Sequence, residues 1–175
     1  ILPQLRDRPA QLALWTDRDG VLSFRGYGDL CARAQALATA EGLRPGDPVV
    51  LLAPPGQLLY AAIGGFLALG IPVVFVEPWM PNRMIEHLID ITRPKAFVGS
   101  RLAQAWGLRF TAMRKIPRWI SLGKIKRQAR QAAFRVIPLD GSAPAIITFT
   151  SGTAGTPKAI VRTHQYMWDL HEILS

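Results

Sequence analysis

Cysteine is almost absent from this sequence, which has Cys31 alone among its 175 residues. One cysteine excludes an internal disulfide framework and is typical of a reducing compartment. The N-terminus also lacks the basic start, apolar run and small-residue cleavage site of a secretory signal. We therefore expect a cytoplasmic protein. Because Cys31 lies in an apolar-periodic segment over 30–40, we expect it to be a small buried core residue.

Charged residues are also scarce, at 19% against 49% hydrophobic residues, which excludes a disordered chain and predicts a real core. Residues 48–76 carry no charge at all, a run long enough to raise a membrane span. Prolines at 54–55 break that run, and Gly70-Ile71-Pro72 ends its helical portion. The remaining segment, 58–69, is short of the ~20 residues that a spanning helix needs. The buried core of an α/β domain is the better interpretation.

Acidic residues are missing from 101–135, which contains ten lysines and arginines and supplies much of the formal net charge of +9. Apolar residues there follow helical spacing and predict an amphipathic helix with a basic face; they are Ile125, Ala129, Ala132, Ala133 and Val136. Two interpretations stay open: a solvated helix, or contact with a membrane surface or protein partner. No nucleic-acid motif accompanies the region, so no nucleic-acid partner is expected. Nearby Trp106, Phe110 and Trp119 are expected to pack in the core or at an interface.

Apolar runs and turn residues alternate along the chain. The Asp19-Gly20 dipeptide predicts a hairpin between strands at 12–15 and 21–24. Helical spacing predicts a first helix that opens at Tyr27 and ends at Gly42. Further strands are predicted at 49–53, 73–76 and 96–98, and further helices at 58–69 and 81–91. This alternation predicts an α/β fold with a layered, mainly parallel sheet flanked by helices.

One loop carries the chemistry. A β-branched strand at 145–149 runs directly into Thr150-Ser151-Gly152-Thr153-Ala154-Gly155-Thr156-Pro157-Lys158. Glycines let backbone N–H groups approach an anion, hydroxyls add donors, and the lysine adds a positive charge, so the loop is suited to phosphate. It lacks the nucleotide-hydrolase pattern, since residues 159–161 continue as a strand where that pattern starts a helix. By composition alone, an ordinary flexible connector stays open.

Order and flanks are more specific than composition. The segment 149–158 resembles the Tyr/Phe-Thr-Ser-Gly-Ser/Thr-Thr-Gly-x-Pro-Lys-Gly signature of the adenylate-forming superfamily, the AMP-binding acyl-activating enzymes. Segments 24–30 and 42–49 are similar to that family's early helix and its Gly-Val-x-Pro-Gly-Asp-x-Val turn. Two residues depart from the pattern: Ala154 replaces the usual Thr, and Ala159 the usual Gly.

A narrower resemblance concerns 93–100 and the basic stretch after it. These look most like fatty acyl-CoA synthetases and the olefin-biosynthesis β-lactone synthetases. The resemblance implies activation of a carboxylic acid, fatty or β-hydroxy fatty, to an acyl-adenylate with ATP and Mg²⁺, and then transfer to coenzyme A or lactone closure. Peripheral membrane association would fit the basic region. The alternative, favoured by Ala154, is an inactive nucleotide-binding or assembly module.

The resemblance also implies roles for individual residues. The ATP phosphates would contact the hydroxyls and glycine N–H groups of the loop, and Lys158 would offset their charge; these residues are Thr150, Ser151, Gly152, Thr153, Gly155 and Thr156. His164 would line the acyl site, with helix capping or packing as the alternative. No catalytic residue is assigned, and His164 with His171 is not expected to bind a metal ion.

The boundaries of the resemblance define the expected domain. Residues 1–175 are predicted to be the incomplete N-terminal portion of the large AMP-binding domain, ending just after the phosphate-binding loop. The C-terminal domain, the residues for adenine and magnesium, and the catalytic lysine are expected beyond Ser175. Such a fragment is not expected to complete the reaction alone.

Overall fold

The computed structural model describes residues 6–129, 133–150 and 158–174. An antiparallel hairpin opens it, formed by β1 (Leu12–Thr16) and β2 (Gly20–Ser23). Gly20 has a φ of +73° at the turn, a conformation that suits glycine. The predicted hairpin is confirmed.

Helix α1 spans Phe24–Ala40 and begins earlier than the sequence pattern indicated. Ser23 is the reason, because its hydroxyl accepts a hydrogen bond from the Gly26 N–H at 3.2 Å and caps the helix there. Phe24, predicted as the end of a strand, is therefore the first helical residue. After the helix ends, Gly42 takes a φ of +71°, as its predicted stop position requires. Cys31 is fully buried, which confirms its predicted place in the core.

A six-stranded sheet forms the centre. Its strands are β3 (Val49–Leu52), β4 (Val73–Phe75), β5 (Ala96–Gly99), β6 (Trp119–Ser121), β7 (Pro144–Thr150) and β8 (Lys158–Thr163). Their order in the sheet is β6-β5-β3-β4-β7-β8. Neighbouring strands are parallel except β7 and β8, which are antiparallel. The mainly parallel sheet predicted from sequence is thereby confirmed.

Helices cover both faces of the central strands, so each strand divides its side chains between two cores. After α1 come the helices α2 (Gln57–Ala68), α3 (Asn82–Thr92), α4 (Arg101–Gly107), α5 (Thr111–Arg114) and α6 (His164–Leu174). Val49 packs with α1 and α2, while Val50 packs with α3, α4 and α5. This double cover explains why the sequences of β3, β4 and β5 are uninterrupted apolar runs.

The basic amphipathic helix predicted from Ile125 to Val136 is wrong. A short 3-10 helix spans Leu122–Arg127, and 133–140 has no regular secondary structure. Buried Gln35 explains the extended path, because its side-chain amide donates to the Arg135 carbonyl at 2.6 Å and accepts from the Arg135 N–H at 3.0 Å. Tertiary partners thus take the hydrogen bonds that a helix would have formed internally.

The aromatic residues of this region pack as expected. The rings of Trp106 and Phe110 lie 4.6 Å apart, and Trp119 meets Phe97 edge to face at 4.9 Å, between centroids. All of them belong to or border the core on the α3 side. Over the described part of the chain, no helix is long and apolar enough to cross a membrane.

Candidate phosphate-binding site

The predicted phosphate loop follows β7, whose place in the sheet sets its surroundings. β7 runs parallel to β4, with Val73 opposite Ile146, so its carboxyl end lies at the same edge as those of β3, β4 and β5. In open α/β sheets, ligands bind outside the carboxyl ends of the strands. Thr150, the last residue of β7, lies at that edge.

β7 has one face for the core and one for polar chemistry. Ala145, Ile147 and Phe149 are buried. The alternate residues Thr148 and Thr150 point to the opposite face, and Thr150 is exposed. The buried face holds β7 against the core, and the opposite face carries the threonine hydroxyl groups near the carboxyl edge of the sheet.

Strand β8 adds a positive charge to that face. Thr150 and Lys158 are register partners of the antiparallel β7–β8 pair, and directly opposed residues share a face. Lys158 is exposed and therefore has its ammonium group in water beside the Thr150 position. The other predicted loop residues lie outside the described residues: Ser151, Gly152, Thr153, Gly155 and Thr156.

Arg162 is a residue of this face that the sequence interpretation missed. It is register partner to Ile146, so it shares the face of Thr148, Thr150 and Lys158. Its guanidinium donates a hydrogen bond to the Thr148 hydroxyl at 2.6 Å. A second positive charge is thus fixed two strand positions from Thr150. The signal in the sequence was its spacing of four from Lys158, with the strand predicted at 159–161 between the two residues.

His164 begins α6, where the sequence predicted a helix start. Its backbone N–H donates to the Ala143 carbonyl at 3.0 Å, while the Thr163 hydroxyl accepts from the Tyr166 N–H at 3.2 Å. Thr163 therefore supplies the side-chain cap, which removes helix capping as the role of the His164 side chain.

Partial burial lowers the pKa of the His164 imidazole, because removal from water disfavours the charged form. Its Nε2 atom is buried and has no hydrogen-bond partner among the described residues. A neutral ring with a vacant nitrogen can donate to or accept from a polar ligand.

A metal ion would need several ligating side chains close together. No group of three or more His, Cys, Asp or Glu side chains suited to a metal ion exists within 6–129, 133–150 and 158–174. The His171 ring lies 6.0 Å from that of Trp168. The described residues therefore contain no such ligand group for the magnesium ion that the resemblance implies.

A mainly parallel sheet covered by helices, with hydroxyls and cations at its carboxyl edge, defines a ligand-binding α/β domain. The chain belongs to the family described as AMP-binding enzyme, whose model matches residues 3–174. This confirms the resemblance drawn from the loop and its flanks.

Individual proteins that are similar to this chain are consistent with the family assignment. An olefin beta-lactone synthetase from Xanthomonas campestris pv. campestris is 25% identical over 202 residues, which cover 99% of this chain and 35% of the relative. The chain thus spans about a third of that protein. The N-terminal subdomain of Klebsiella oxytoca NpsA, in complex with 3-hydroxybenzoyl-AMSN, is 20% identical, with a TM-score of 0.75 over 92% of this chain and 39% of that one.

A Mycobacterium tuberculosis fatty acyl CoA synthetase has the same fold, with a TM-score of 0.69 and 22% identity. The match covers 82% of this chain and 29% of that structure. At these identities, the solved structures confirm the layered α/β fold.

Proposed function

We propose that the natural polypeptide containing this chain activates a carboxylic acid with ATP to form an acyl-adenylate. Residues 1–175 would form the first part of its large domain. The observation that supports this most is the pairing of Thr150 with Lys158 on one face at the carboxyl edge of the sheet, directly flanking the predicted loop. Family membership over 3–174 supports the same reaction class.

In the proposed reaction, a carboxylate oxygen attacks the α-phosphorus of ATP and forms a new P–O bond. The bond from the α-phosphorus to its bridging oxygen breaks, and pyrophosphate leaves with the electron pair. Thr150 and Lys158, with Ser151, Thr153, Thr156 and the N–H groups around Gly152 and Gly155, would hold the β- and γ-phosphates. Lys158 and Arg162 would offset the charge that develops on pyrophosphate. Bound Mg²⁺ would supply further charge neutralisation.

Two departures from the family signature have different consequences. Ala154 removes one hydroxyl, and a hydrogen bond to a charged group is worth ~1.5–3 kcal/mol, so ATP binding would be weaker without being lost. Ala159 costs less, because Arg93 alone among the described non-glycine residues has a positive φ. A side chain at 159 therefore meets no backbone strain in β8.

For the acid, we propose a fatty or β-hydroxy fatty acid. The chain is similar to an olefin beta-lactone synthetase and shares its fold with a fatty acyl CoA synthetase. His164 would line the acyl site, since its partly buried, neutral ring has a vacant Nε2. Coenzyme A would accept the acyl group unless an internal hydroxyl closes a lactone. We expect a cytoplasmic enzyme.

The decisive experiment is ATP–pyrophosphate exchange by the complete natural polypeptide with fatty acids of three chain lengths and their β-hydroxy forms. Lys158→Ala should lower exchange by about 10- to 150-fold, the equivalent of one lost charged hydrogen bond. Arg162→Leu tests the second cation. Lys95→Ala is the matched control, because Lys95 is an exposed lysine at the amino end of β5, the opposite edge of the sheet.

Ala154 supports a second candidate, an inactive nucleotide-binding or assembly module. That candidate predicts ATP binding by folded protein without exchange for any acid. Ala154→Thr distinguishes the two, because restoring the hydroxyl should strengthen ATP binding in both cases but should raise exchange only in an enzyme. Exchange insensitive to Lys158→Ala would contradict the phosphate-binding role of the loop.

A further inference from the structure

Two cavities lie side by side at the carboxyl edge of the sheet, next to the strands β3 and β5. They share a wall formed by Ala53, Pro54, Leu59 and Ser100. One has a volume of about 450 Å³ and an apolar lining, and the other has a volume of about 710 Å³ and a basic rim. An apolar surface thus adjoins a cationic one without a gap.

Large apolar side chains stand open to water at the first cavity. Trp79 is 78% exposed and Leu102 is 80% exposed, and both line it. Pro55 and Trp106 continue the apolar lining between them. Contiguous exposed apolar surface of this kind marks a site that binds another surface.

The second cavity presents unpaired positive charge. Lys124 forms an ion pair with Glu41 at 2.8 Å, and the Asp19 carboxylate accepts from the Gln57 N–H at 2.9 Å. Four other cations line the same cavity and form no ion pair within the part of the chain that the structure describes: Arg18, Arg101, Lys126 and Arg127. The surplus charge favours an anionic partner.

We propose that this face, defined by Trp79, Leu102, Arg101, Lys126 and Arg127, binds the surface of a bilayer that contains anionic lipids. Trp79 and Leu102 enter the boundary between headgroups and acyl chains, where tryptophan is favoured. The three cations meet lipid phosphates around them. Arg101 and Leu102 are adjacent in α4, so the two kinds of contact fall on one short element.

A bilayer would contact the apolar part and the cationic part of this face at the same time. Nucleic acid would use the cations and leave the apolar cavity unoccupied, and a free phosphate would do the same. An anionic bilayer offers dispersed negative charge above an apolar phase, and each basic residue near it strengthens binding by about fivefold. The inference goes beyond the proposed function and does not depend on it.

The test is co-sedimentation of the complete natural polypeptide with phosphatidylcholine vesicles, with or without phosphatidylserine at roughly one part in three. Binding should require the anionic lipid and weaken with salt. Trp79→Ser with Leu102→Ser, and separately Lys126→Ala with Arg127→Ala, should each lower binding at least about tenfold.

Matched controls come from the same chain. Trp168→Ser with Ile173→Ser removes apolar groups of the same kind from α6, which are 59% and 80% exposed. Lys95→Ala with Lys115→Ala removes exposed lysines near the amino end of β5. Neither control should change vesicle binding. The inference is overturned by absence of binding to anionic vesicles, by equal losses in controls and test variants, or by tighter binding to duplex DNA than to vesicles. Unchanged ATP–pyrophosphate exchange in the test variants would separate this surface from the adenylation site.

Discussion

The central strands and the C-terminal strand β8 belong to one sheet. They differ, together with the helix α6 that follows β8, in how far other elements cover their side chains. In β3 and β5, the side chains of Val49, Val50, Phe97 and Val98 are fully buried between two helical layers. The C-terminal arm, which we define as β8 and α6, instead has large apolar side chains open to water. Its exposed apolar residues are Ile160, Val161, Tyr166, Trp168, Leu170 and Ile173, with Trp168 at 59% and Ile173 at 80% exposure.

Because of this difference, the central strands stabilise the fold, whereas the arm carries residues of the candidate site. Lys158, Arg162 and His164 all belong to the arm, which is held through its pairing with β7 and a few backbone hydrogen bonds. The central strands carry the buried apolar area that stabilises the domain. Substitutions at the centre should therefore alter unfolding, whereas substitutions in the arm should alter ligand binding.

The largest effect is expected at Phe97. Phe97→Ala removes a fully buried ring that packs on Trp119, and should lower the free energy of unfolding by about 3–5 kcal/mol. Denaturant unfolding followed by circular dichroism measures it. Ile91→Ala, on the exposed side of α3, is the control and should change stability by less than about 0.5 kcal/mol. Equal losses in the two variants would show that the centre is not the stabilising region.

A smaller effect is expected where α1 and α2 cross. A Cβ atom on Gly65 would lie 2.7 Å from the Cys31 carbonyl oxygen and 2.9 Å from the Ala34 Cβ. Gly65→Ala must therefore push the helices apart, at about 1–3 kcal/mol. Gly123→Ala is the matched control, since its nearest neighbour would be the Ser121 hydroxyl oxygen at 3.7 Å. A neutral Gly65→Ala would mean that the helix contact is looser than described.

The central strands are also the elements that the sequence predicted correctly. The apolar runs of β3, β4 and β5 follow from burial on both faces, which the local sequence records directly. A strand at 159–161 was likewise predicted, and β8 contains it. Elements specified by their own residues were therefore found.

The failures fall where distant partners decide the conformation. Residues 125–136 have helical spacing, yet Gln35 binds the Arg135 backbone and the Ala68 carbonyl accepts from the Ile137 N–H. Nothing within the segment indicates these partners, which lie far away in the sequence, Gln35 being 100 residues from Arg135. Arg162 was missed for a similar reason, since its position beside Thr148 depends on the β7–β8 register.

In the arm, His164 should show a shift in its titration and only a modest effect on stability. Burial lowers the pKa of its imidazole below the ordinary 6.5. As pH falls through 6.5, the unfolded state takes up a proton before the folded state, so native stability declines until the folded pKa is passed. NMR titration of the imidazole protons gives the midpoint. His164→Gln should remove this part of the pH dependence, and a midpoint above 6.5 would contradict the burial argument.

The smallest effect on stability is expected at Ile173, an exposed residue of the C-terminal arm. Ile173→Ser removes an apolar side chain as large as those of the centre, but one that water already reaches over most of its surface. Little transfer free energy is lost, so the free energy of unfolding of the 175-residue chain should change by less than about 0.5 kcal/mol. Val49→Ser, fully buried in β3, provides the opposite case in the same assay. If Ile173→Ser instead cost more than about 1.5 kcal/mol, the exposed apolar side chains around Ile173 would have to be covered in solution by a second surface. Sedimentation analysis at two protein concentrations would then decide whether that surface is another copy of the chain.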